Sequence, residues 1–358
     1  MWWESIRNFF VSGVAIDLGT ANTLIYSRGH GIILNEPSAI AINRDSGNVV
    51  AVGRRAIAML GREPYDTVVH RPMKDGTIAD YDLAEKMLRN FFHAACKRES
   101  RRYCKLVVSI PSSATQTERR ALRNAAYSIG ANKVFLIDEG LAAAVGSEVM
   151  FRSPQAHLLV DIGGGTTNIT IVSTTGIIAS KSLEIAGNRM TQDIVEYMHR
   201  KHKLVIDEQS AEQIKINLGS AIAQENEASM LVTGKNLTNY KVRELMLTQS
   251  EVVEALDHTL DTIIEGIRQV IELSKPAVAV DIHRTGVTLA GGGSLLRDFY
   301  RRVHLELGLP AMRASNPMEA VVIGAGQLLD RPELLKRFSG ADMVRYQEWV
   351  DEDMPVPS

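Results

Sequence analysis

Apolar residues follow two alternating patterns along the chain. Short runs rich in Val, Ile and Leu predict buried β-strands, and longer stretches with apolar residues three or four positions apart predict amphipathic helices. Before residue 150 the predicted strands are 14–18, 23–27, 31–35, 38–42, 49–52, 106–110 and 134–137, and the predicted helices are 82–95, 115–130 and one after Glu139. Strand-then-helix alternation predicts α/β layers with a mostly parallel sheet.

The same alternation begins again near residue 158. The predicted strands are 158–162, 169–173, 177–183 and 287–290, and the predicted helices are 191–202, 210–222, 251–274 and one beginning at Asn316-Pro317. The tail after Asp330 has no readable motif. The chain therefore predicts two successive α/β regions.

One short motif occurs in both regions. Asp17-Leu-Gly-Thr20 follows one predicted buried strand, Asp161-Ile-Gly-Gly-Gly-Thr166 follows another, and a further strand comes next in each case. The two motifs lie about one domain length apart, and a duplicated fold is the simplest source of such a repeat. The sequence therefore predicts two related halves that face each other across a cleft.

These two motifs are suited to binding phosphate and Mg²⁺. Glycines permit tight backbone geometry and close approach of N–H groups to phosphate oxygens. Asp17 and Asp161 end buried strands, where their carboxylates can hold Mg²⁺ through water. A single motif of this kind is also typical of a plain hairpin. The pair predicts two turns that clamp a β/γ-phosphate tail.

A third glycine cluster, Leu289-Ala-Gly-Gly-Gly-Ser294, leaves a predicted strand and enters a predicted helix that contains Leu295 and Leu296. Alone it is most typical of a simple strand-to-helix turn. Beside the other two motifs it predicts a backbone platform for a base or an α-phosphate at a helix N-terminus.

Composition excludes several classes of protein. The 358 residues include 40 basic and 42 acidic residues, a net charge of −2, which argues against a dedicated nucleic-acid binder. Two cysteines cannot form a disulfide framework and predict a reducing cytosol. No apolar run approaches the ~18 residues of a membrane span, and the N-terminus does not have the pattern of a secretory signal. We expect a cytosolic protein that can contact a membrane from outside.

Several motifs in one order resemble a known superfamily. Residues 17–23, 161–167 and 291–296 are similar to the phosphate-1, phosphate-2 and adenosine motifs of the actin-like ATPases. Asn35-Glu-Pro-Ser38, Arg71-Pro-Met-Lys-Asp-Gly76 and Glu212-Gln-Ile-Lys215 resemble the MreB/Mbl family of bacterial actins, and the resemblance extends from about Val14 to Leu329. It implies an α/β actin-like ATPase fold, with two related halves around a nucleotide cleft.

The resemblance also implies a division of each half into a sheet with flanking helices and a smaller subdomain. The implied boundaries are an amphipathic membrane helix at 1–12, subdomain IA at 13–33, 71–150 and 318–340, subdomain IB at 34–70, subdomain IIA at 151–182 and 241–317, subdomain IIB at 183–240, and a tail at 341–358.

The resemblance implies roles for individual residues. Asp17 and Asp161 would hold Mg²⁺, and Glu139 and Asp161 are the implied catalytic residues, with Glu139 orienting the attacking water. The residues implied to bind ATP are Thr20, Ala21, Asn22, Gly163, Gly164, Gly165, Thr166, Gly187, Glu212, Gln213, Ile214, Lys215, Gly291, Gly292, Gly293, Ser294 and Leu295. Independently, a carboxylate at a strand-to-helix junction can polarise water for in-line attack. The alternative for Glu139 is an acidic residue favoured by the helix dipole.

Three positions depart from the family pattern. Gly140 stands where proline normally follows the catalytic glutamate, which predicts a freer backbone at Glu139. Asn168 and Asn188 replace acidic residues near the implied pocket. These departures are compatible with ATP binding, and they leave the hydrolysis rate and the nucleotide preference open.

The N-terminus predicts a membrane contact. Trp2, Trp3, Ile6, Phe9 and Phe10 fall within an arc of about 120° on a helix, which predicts a helix lying in the membrane interface. The alternative is a terminal helix that packs on its own domain. The basic segment Lys97–Lys105 could meet anionic headgroups or form a solvated loop. His93, Cys96 and Cys104 lack the ligand number and spacing of a metal site.

The function implied by the resemblance is that of a membrane-associated, ATP-dependent filament that organises cell-wall synthesis and maintains rod shape. The implied partners are other copies of the chain, the inner face of the cytoplasmic membrane, RodZ and the cell-wall elongation proteins, with no nucleic acid. A chaperone-type ATPase would need a peptide-binding domain after Asp330, for which too few residues follow. A non-polymerising small-molecule kinase or a regulatory ATPase of the same superfamily is the alternative.

Overall fold

The structure is a computed structural model, and it describes residues 13–96, 104–339 and 344–345. The chain divides into two compact units, the first comprising residues up to 152 and from 319 onwards, and the second comprising residues 153–318. The predicted membrane helix at 1–12, residues 97–103 of the basic segment, and the tail at 341–358 apart from residues 344–345 lie outside the described residues. The finer subdomain boundaries stay a prediction.

The first unit begins with a series of short strands. Its elements up to residue 152 are β1 (Gly13–Leu18), β2 (Asn22–Ser27), β3 (Gly31–Pro37), β4 (Ile40–Asn43), β5 (Val49–Val52), α1 (Arg54–Ile57), β6 (Thr67–His70), β7 (Met73–Lys74), β8 (Thr77–Ile78), α2 (Tyr81–Ala95), β9 (Cys104–Ile110), α3 (Gln116–Ser128), β10 (Ala131–Asp138), α4 (Glu139–Gly146) and α5 (Val149–Arg152).

The second unit follows, and the chain then returns to the first. The second unit contains β11 (His157–Ile162), β12 (Thr167–Ser173), β13 (Gly176–Leu183), α6 (Gly187–His202), β14 (Leu204–Val205), α7 (Glu208–Leu218), β15 (Ser229–Asn236), β16 (Val242–Thr248), α8 (Gln249–Glu272), α9 (Pro276–Thr285), β17 (Val287–Ala290), α10 (Phe299–Leu307) and β18 (Ala311–Arg313). The returning elements are α11 (Ala320–Leu328), α12 (Pro332–Ser339) and β19 (Val344–Arg345).

The main sheets of the two units share one topology. The strand order is β3-β2-β1-β9-β10 in the first unit, with β19 added beside β10, and β13-β12-β11-β17-β18 in the second. In both, the first two neighbouring pairs are antiparallel and the next two are parallel. The predicted relationship between the halves is therefore confirmed at the level of topology.

The prediction of a mostly parallel sheet is wrong, because each main sheet is mixed. The first three strands of each unit are joined by loops of only a few residues, which suffice for antiparallel hairpins but not for a parallel crossover. Smaller antiparallel sheets, β5-β4-β6 and β14-β15-β16, and the hairpin β7-β8 complete the strands.

Each unit has its own apolar core. In the first, Ile16, Leu106 and Leu136 of the sheet pack with Phe91 and Phe92 of α2. In the second, the core joins sheet residues to α8 and α10, and its fully buried members include Val160, Ile169, Leu260, Ile263 and Phe299. No helix in the described ranges is long and apolar enough to cross a membrane.

Helix α4 is held against α11 by backbone contact. A Cβ added to Gly146 would lie 1.9 Å from the carbonyl oxygen of Ala320, and one added to Gly324 would lie 1.8 Å from that of Ala142. Only glycine permits so close an approach. The returning segment therefore fixes the helix that begins at Glu139.

Candidate nucleotide-binding site

The turns after Asp17 and Asp161 have the same length and register. In β1 and β2, Asp17 lies opposite Leu24, and in β11 and β12, Asp161 lies opposite Asn168. Asn168, where the sequence departs from the acidic family pattern, is thus the cross-strand neighbour of the predicted metal ligand.

A matching hydrogen bond closes both turns. The N–H of Gly19 donates to the carbonyl oxygen of Asn22 at 3.1 Å, and the N–H of Gly163 donates to that of Thr166 at 2.9 Å. The repeated motif is therefore a repeated backbone structure, with an aspartate two residues before each closing glycine.

In the first unit the turn is anchored by Ser38. The Ser38 hydroxyl donates to the carbonyl oxygen of Gly19 at 2.6 Å, and its N–H donates to that of Ala21 at 2.9 Å. The buried Thr20 side chain accepts from the N–H of Gly76 at 2.8 Å. Sequence analysis did not assign Ser38 or Gly76 a role of its own, although both belong to the quoted family motifs.

Asp17 has an unusual protonation equilibrium. The Ser109 hydroxyl donates to Asp17 Oδ1 at 2.7 Å. Desolvation by burial raises the pKa of the Asp17 carboxyl to about 6, and the Ser109 hydrogen bond opposes this only in part. A buried carboxylate whose pKa is raised by desolvation fits a site that receives a cation together with its ligand.

Glu139 is buried and forms the first residue of α4, as predicted. The N-cap is Asp138, whose side chain accepts from the Leu141 N–H at 3.0 Å and from the Ser112 hydroxyl at 2.6 Å. Burial raises the pKa of Asp138, and these hydrogen bonds, together with one from the Gly140 N–H, oppose the increase. Asp138 is a supporting residue that sequence analysis missed, although aspartate is a favoured N-cap.

Glu139 also faces a small cavity of about 20 Å³ within the first unit, lined in addition by Leu18, Gly76, Ser109 and Pro111. The cavity therefore brings Glu139 together with Ser109, the hydrogen-bond partner of Asp17. Its volume is sufficient for a water molecule.

In the second unit, the start of α6 anchors the turn. The N–H of Gly187 donates to the carbonyl oxygen of Gly163 at 3.1 Å, and the N–H of Asn188 donates to that of Gly164 at 2.7 Å. A Cβ at Gly187 would lie 3.2 Å from the Gly163 oxygen. Gly187, one of the predicted binding residues, therefore lies directly against the turn that follows Asp161.

Two residues of α7, Glu212 and Lys215, lie beside the start of α6. Lys215 Nζ donates to the carbonyl oxygen of Gly187 and to Thr191 Oγ1, both at 2.9 Å. It also pairs with Glu212 Oε2 at 2.7 Å. Lys215 therefore contacts Gly187 directly, and Glu212 lies beside Lys215. Their predicted contact with the nucleotide stays a prediction, and the buried Thr191 was missed.

The prediction for Ile214 needs correction. Its side chain is 1% exposed and packs in the core of the second unit. Helical spacing places it on the same face as Ala211 and Leu218, so the side chain is not available to a nucleotide. Gln213 is exposed on α7.

The third glycine cluster lies beside Asp161. In the parallel pair of β11 and β17, Ala290 is opposite Asp161. Gly291 has φ of +77°, and a Cβ there would lie 2.2 Å from the carbonyl oxygen of Ile162 and 2.6 Å from Asp161 Oδ1. Glycine is therefore required both by the backbone conformation and by the space.

The expected α-helix does not begin within this cluster. Gly292–Leu295 forms a short 3₁₀ helix, and α10 begins only at Phe299. Ser294 is buried and donates to the Gly291 carbonyl oxygen at 2.7 Å, whereas a Cβ at Gly292 would meet nothing within 4 Å. The cluster is therefore a tight loop whose surface is open at Gly292. Gly293 and Leu295 are the remaining residues of its 3₁₀ helix.

Within the described ranges no group of three or more His, Cys, Asp or Glu side chains could hold a metal ion. Any Mg²⁺ here would depend on single aspartates, water and ligand oxygens, the pattern that Mg²⁺ prefers with phosphates. The predicted membrane residues Trp2, Trp3, Ile6, Phe9 and Phe10 lie outside the described part of the chain.

The family model and the similar curated proteins both belong to the MreB/Mbl family. The family model described as MreB/Mbl protein matches residues 11–337. The cell shape-determining protein MreB of Escherichia coli (strain K12) is 40% identical over 332 residues, which cover 91% of this chain and 96% of that protein.

Two solved structures have a similar fold. MreB 5 of Spiroplasma citri bound to AMPPNP has a TM-score of 0.86 and 32% identity, covering 90% of this chain and 97% of that chain. MamK, solved as a double helical filament, has a TM-score of 0.74 over 89% of this chain and 98% of that chain. Its identity of 19% makes this a likeness of fold alone.

Proposed function

Because this chain belongs to the MreB/Mbl family, we propose that it is a cell-shape bacterial actin that binds and hydrolyses ATP and assembles into filaments. The observation that carries the ATP proposal is the pair of turns after Asp17 and Asp161, which share length, register and closing hydrogen bond. A solved relative is bound to AMPPNP, which supports nucleotide binding here.

The phosphates would be bound by the two turns. Thr20, Ala21 and Asn22 in the first unit, and Gly164 to Thr166 in the second, would supply backbone N–H groups, while the N–H of Gly163 closes its own turn. Ser38 and Gly187 anchor the turns by donating hydrogen bonds to the carbonyl oxygens of Gly19 and Gly163. Such anchoring holds the backbone in place before the ligand arrives, which lowers the entropy lost on binding.

Sugar and base would be bound by the second unit. Glu212, which is exposed over 42% of its side chain, would accept from ribose hydroxyls, with the exposed Gln213 beside it. The loop at Gly291 to Leu295, open at Gly292, would lie against the adenosine. Ile214 would contribute only through the core packing of α7.

Asp17 and Asp161 would hold Mg²⁺, directly or through water. The fit rests on their chemistry: both are carboxylates at strand ends, and burial raises the pKa of Asp17, a desolvation that a bound cation would offset. The ion, when bound, would neutralise charge on the phosphates.

Glu139 would orient the attacking water and accept its proton. Its position at the first residue of α4, beside a cavity of about 20 Å³, supports this role. Asp138 would keep Glu139 oriented by capping the helix. Gly140 would contribute through its N–H, which bonds to Asp138 and which a proline would lack.

Filament and membrane functions complete the proposal. MamK, which shares the fold, forms a double helical filament, and E. coli MreB determines cell shape. We propose that this chain likewise associates with itself and that residues 1–12 attach its filaments to the inner face of the cytoplasmic membrane. There it would organise cell-wall synthesis with RodZ and the elongation proteins.

Sedimentation and phosphate release, measured together, test this function. With Mg²⁺ and ATP the protein is expected to pellet and to release phosphate, and Asp161→Ala should stay folded and lose most of the turnover, because one charged interaction in a transition state is worth several kcal/mol. Lys201→Met, on the distant end of α6, is the matched control that should retain both activities. Phosphorylation of a small molecule without pelleting would instead favour a kinase.

A further inference from the structure

One edge of the main sheet in the first unit carries a row of basic residues. Gly13, at the start of β1, is level with Lys105 of β9, and Lys105 is level with Lys133 of β10. On the other side of β1, Arg28 lies beside Gly13, because the Arg28 N–H donates to the Gly13 carbonyl oxygen at 2.9 Å. We call Arg28, Lys105 and Lys133 the basic edge.

The two lysines of the basic edge lie on the same face of the sheet, as register partners in neighbouring strands do. Lys133 Nζ lies 5.2 Å from the ring centroid of Phe135, two residues further along β10. Both lysines are half-buried, and a lysine in such a position packs its stem and keeps its ammonium group toward solvent. Arg28 pairs with Asp330, at 2.5 Å between Nε and Oδ1.

The described part of the chain ends at this edge. Strand β19 runs antiparallel to β10, with Val344 opposite Val134 and Arg345 opposite Lys133. The strand therefore heads toward the basic edge, and residue 346 follows directly beside it. The family model matches only as far as residue 337, so the segment after β19 lies outside the part of the chain that the family explains.

Residues 346–358, which we call the acidic tail, are complementary in charge to the basic edge. They contain no lysine or arginine and four acidic residues: Glu348, Asp351, Glu352 and Asp353. Neighbouring strands lie ~4.8 Å apart, so the four spacings from β19 to β2 amount to about 19 Å. Six extended residues span about 20 Å, so Asp351 can reach every residue of the basic edge.

We propose that the acidic tail folds back over Lys105 and Lys133 and competes there with an anionic lipid surface. This inference rests on the proposed membrane attachment, because the segment 1–12 joins the sheet at Gly13, within the same row. A membrane held by that segment and the acidic tail would require the same two lysines. The tail would therefore weaken attachment of a single chain, whereas a filament with many anchors would overcome it.

Zero-length cross-linking of the full chain tests the contact without a membrane. A carbodiimide joins a lysine ammonium group to a carboxylate that touches it, and mass spectrometry identifies the joined peptides. In dilute protein without nucleotide we expect links within one chain from Lys105 or Lys133 to residues 351–353. They should be lost in about 1 M salt, where the Debye length is ~3 Å.

Lys74 is the internal control for this experiment. It is exposed and lies two residues before Gly76, whose N–H donates to Thr20 at the opposite end of β1. Links from the tail to Lys74 in equal yield would overturn the proposal. Links found only between two chains would also overturn it, because the tail of a second copy would then be the occupant.

Flotation with phosphatidylserine vesicles tests the competition. The variant Asp351→Asn/Glu352→Gln/Asp353→Asn should bind them roughly 25-fold more tightly than the wild type, since each basic residue near an anionic surface is worth roughly fivefold. Binding to phosphatidylcholine vesicles should not change. The gain should vanish when Lys105→Gln and Lys133→Gln are also present. A matched control with the same change in net charge should give no gain, and it replaces three exposed residues: Asp45→Asn, Glu225→Gln and Glu272→Gln.

An equal gain in the control, or in the background without the two lysines, would overturn the proposal, because net charge alone would then explain the effect. If neither the wild type nor the tail variant bound vesicles of either composition, the proposed membrane attachment would be wrong. Cross-linking would still decide whether the acidic tail lies on the basic edge, since it needs no membrane.

Discussion

Asp17→Asn is expected to stabilise the ligand-free protein while removing its response to Mg²⁺ and ATP. Asparagine keeps the oxygen that accepts from Ser109 but carries no charge to be desolvated. Burial raises the pKa of Asp17 from 3.8 to about 6. At 1.36 kcal/mol per pKa unit, the ionised carboxylate costs at most about 3 kcal/mol of folding free energy.

The sign and the pH range follow from the direction of the shift. Below pH 4 the carboxyl is neutral in both the folded and the unfolded chain, so it carries no penalty. Between pH 4 and 6 the unfolded chain ionises first, and the penalty grows until it is complete above the folded-state pKa of about 6. The gain from Asp17→Asn should therefore be about 1–3 kcal/mol at pH 8 and smaller at pH 5.

Urea unfolding at these two pH values, with EDTA and without nucleotide, measures the effect. Asp45→Asn, at an exposed position, is the matched control and should change little at either pH. Added Mg²⁺ and ATP should raise the midpoint of the wild type but not of Asp17→Asn, because ligand binding stabilises only the state that binds. Equal stabilisation by Asp17→Asn at pH 5 and pH 8, or lower stability at both, would refute the reasoning.

Three further predictions concern other parts of the chain. Glu139→Gln should slow hydrolysis by roughly 10²–10⁴ while nucleotide affinity stays within tenfold; a parallel loss of binding in calorimetry would make Glu139 a structural residue. Gly291→Ala would place a Cβ 2.2 Å from the Ile162 carbonyl oxygen, so it should abolish nucleotide binding or destabilise the second unit. Gly292→Ala has open space at its Cβ, so it should leave both nucleotide binding, measured by calorimetry, and stability, measured by urea unfolding, unchanged. Removal of residues 1–10, or Trp3→Glu, should prevent assembled protein from floating with anionic liposomes, because attachment depends on many weakly bound helices that act together on one filament. ATP turnover should survive in both variants. Equal flotation of truncated and intact filaments would place the membrane anchor elsewhere.

Sequence reasoning succeeded where the signal was local. The β-branched runs that end near Asp17 and Asp161 are buried strands. The helix predicted at 115–130 is α3, which begins with a capping box formed by Thr115 and Glu118. The glycine cluster that includes Gly291 was predicted to form a turn, and in the structure Gly291 has a positive φ, which favours glycine. Local chemistry of this kind is readable without the fold.

The errors arose where distant residues decide the structure. Helix α6 begins at Gly187, not at residue 191, although Ala186 provides no side-chain cap. Its first N–H groups are satisfied by carbonyl oxygens of Gly163 and Gly164, more than twenty residues earlier, so no neighbouring residue signals the start. Helix α10 likewise begins after Asp298, which has a φ of +57° that no composition rule predicts.

The two units have the same turn structure, but different groups support it. In the first unit the turn is held by the hydroxyl and N–H groups of Ser38 and by the bond from the Gly76 N–H to Thr20. Burial raises the pKa of the adjacent Asp17 to about 6. In the second unit the turn is held by the first two N–H groups of α6, and Lys215 donates to the carbonyl oxygen of Gly187, the first residue of that helix. The backbone geometry of the turn is therefore the same in the two units, while the side chains around it differ.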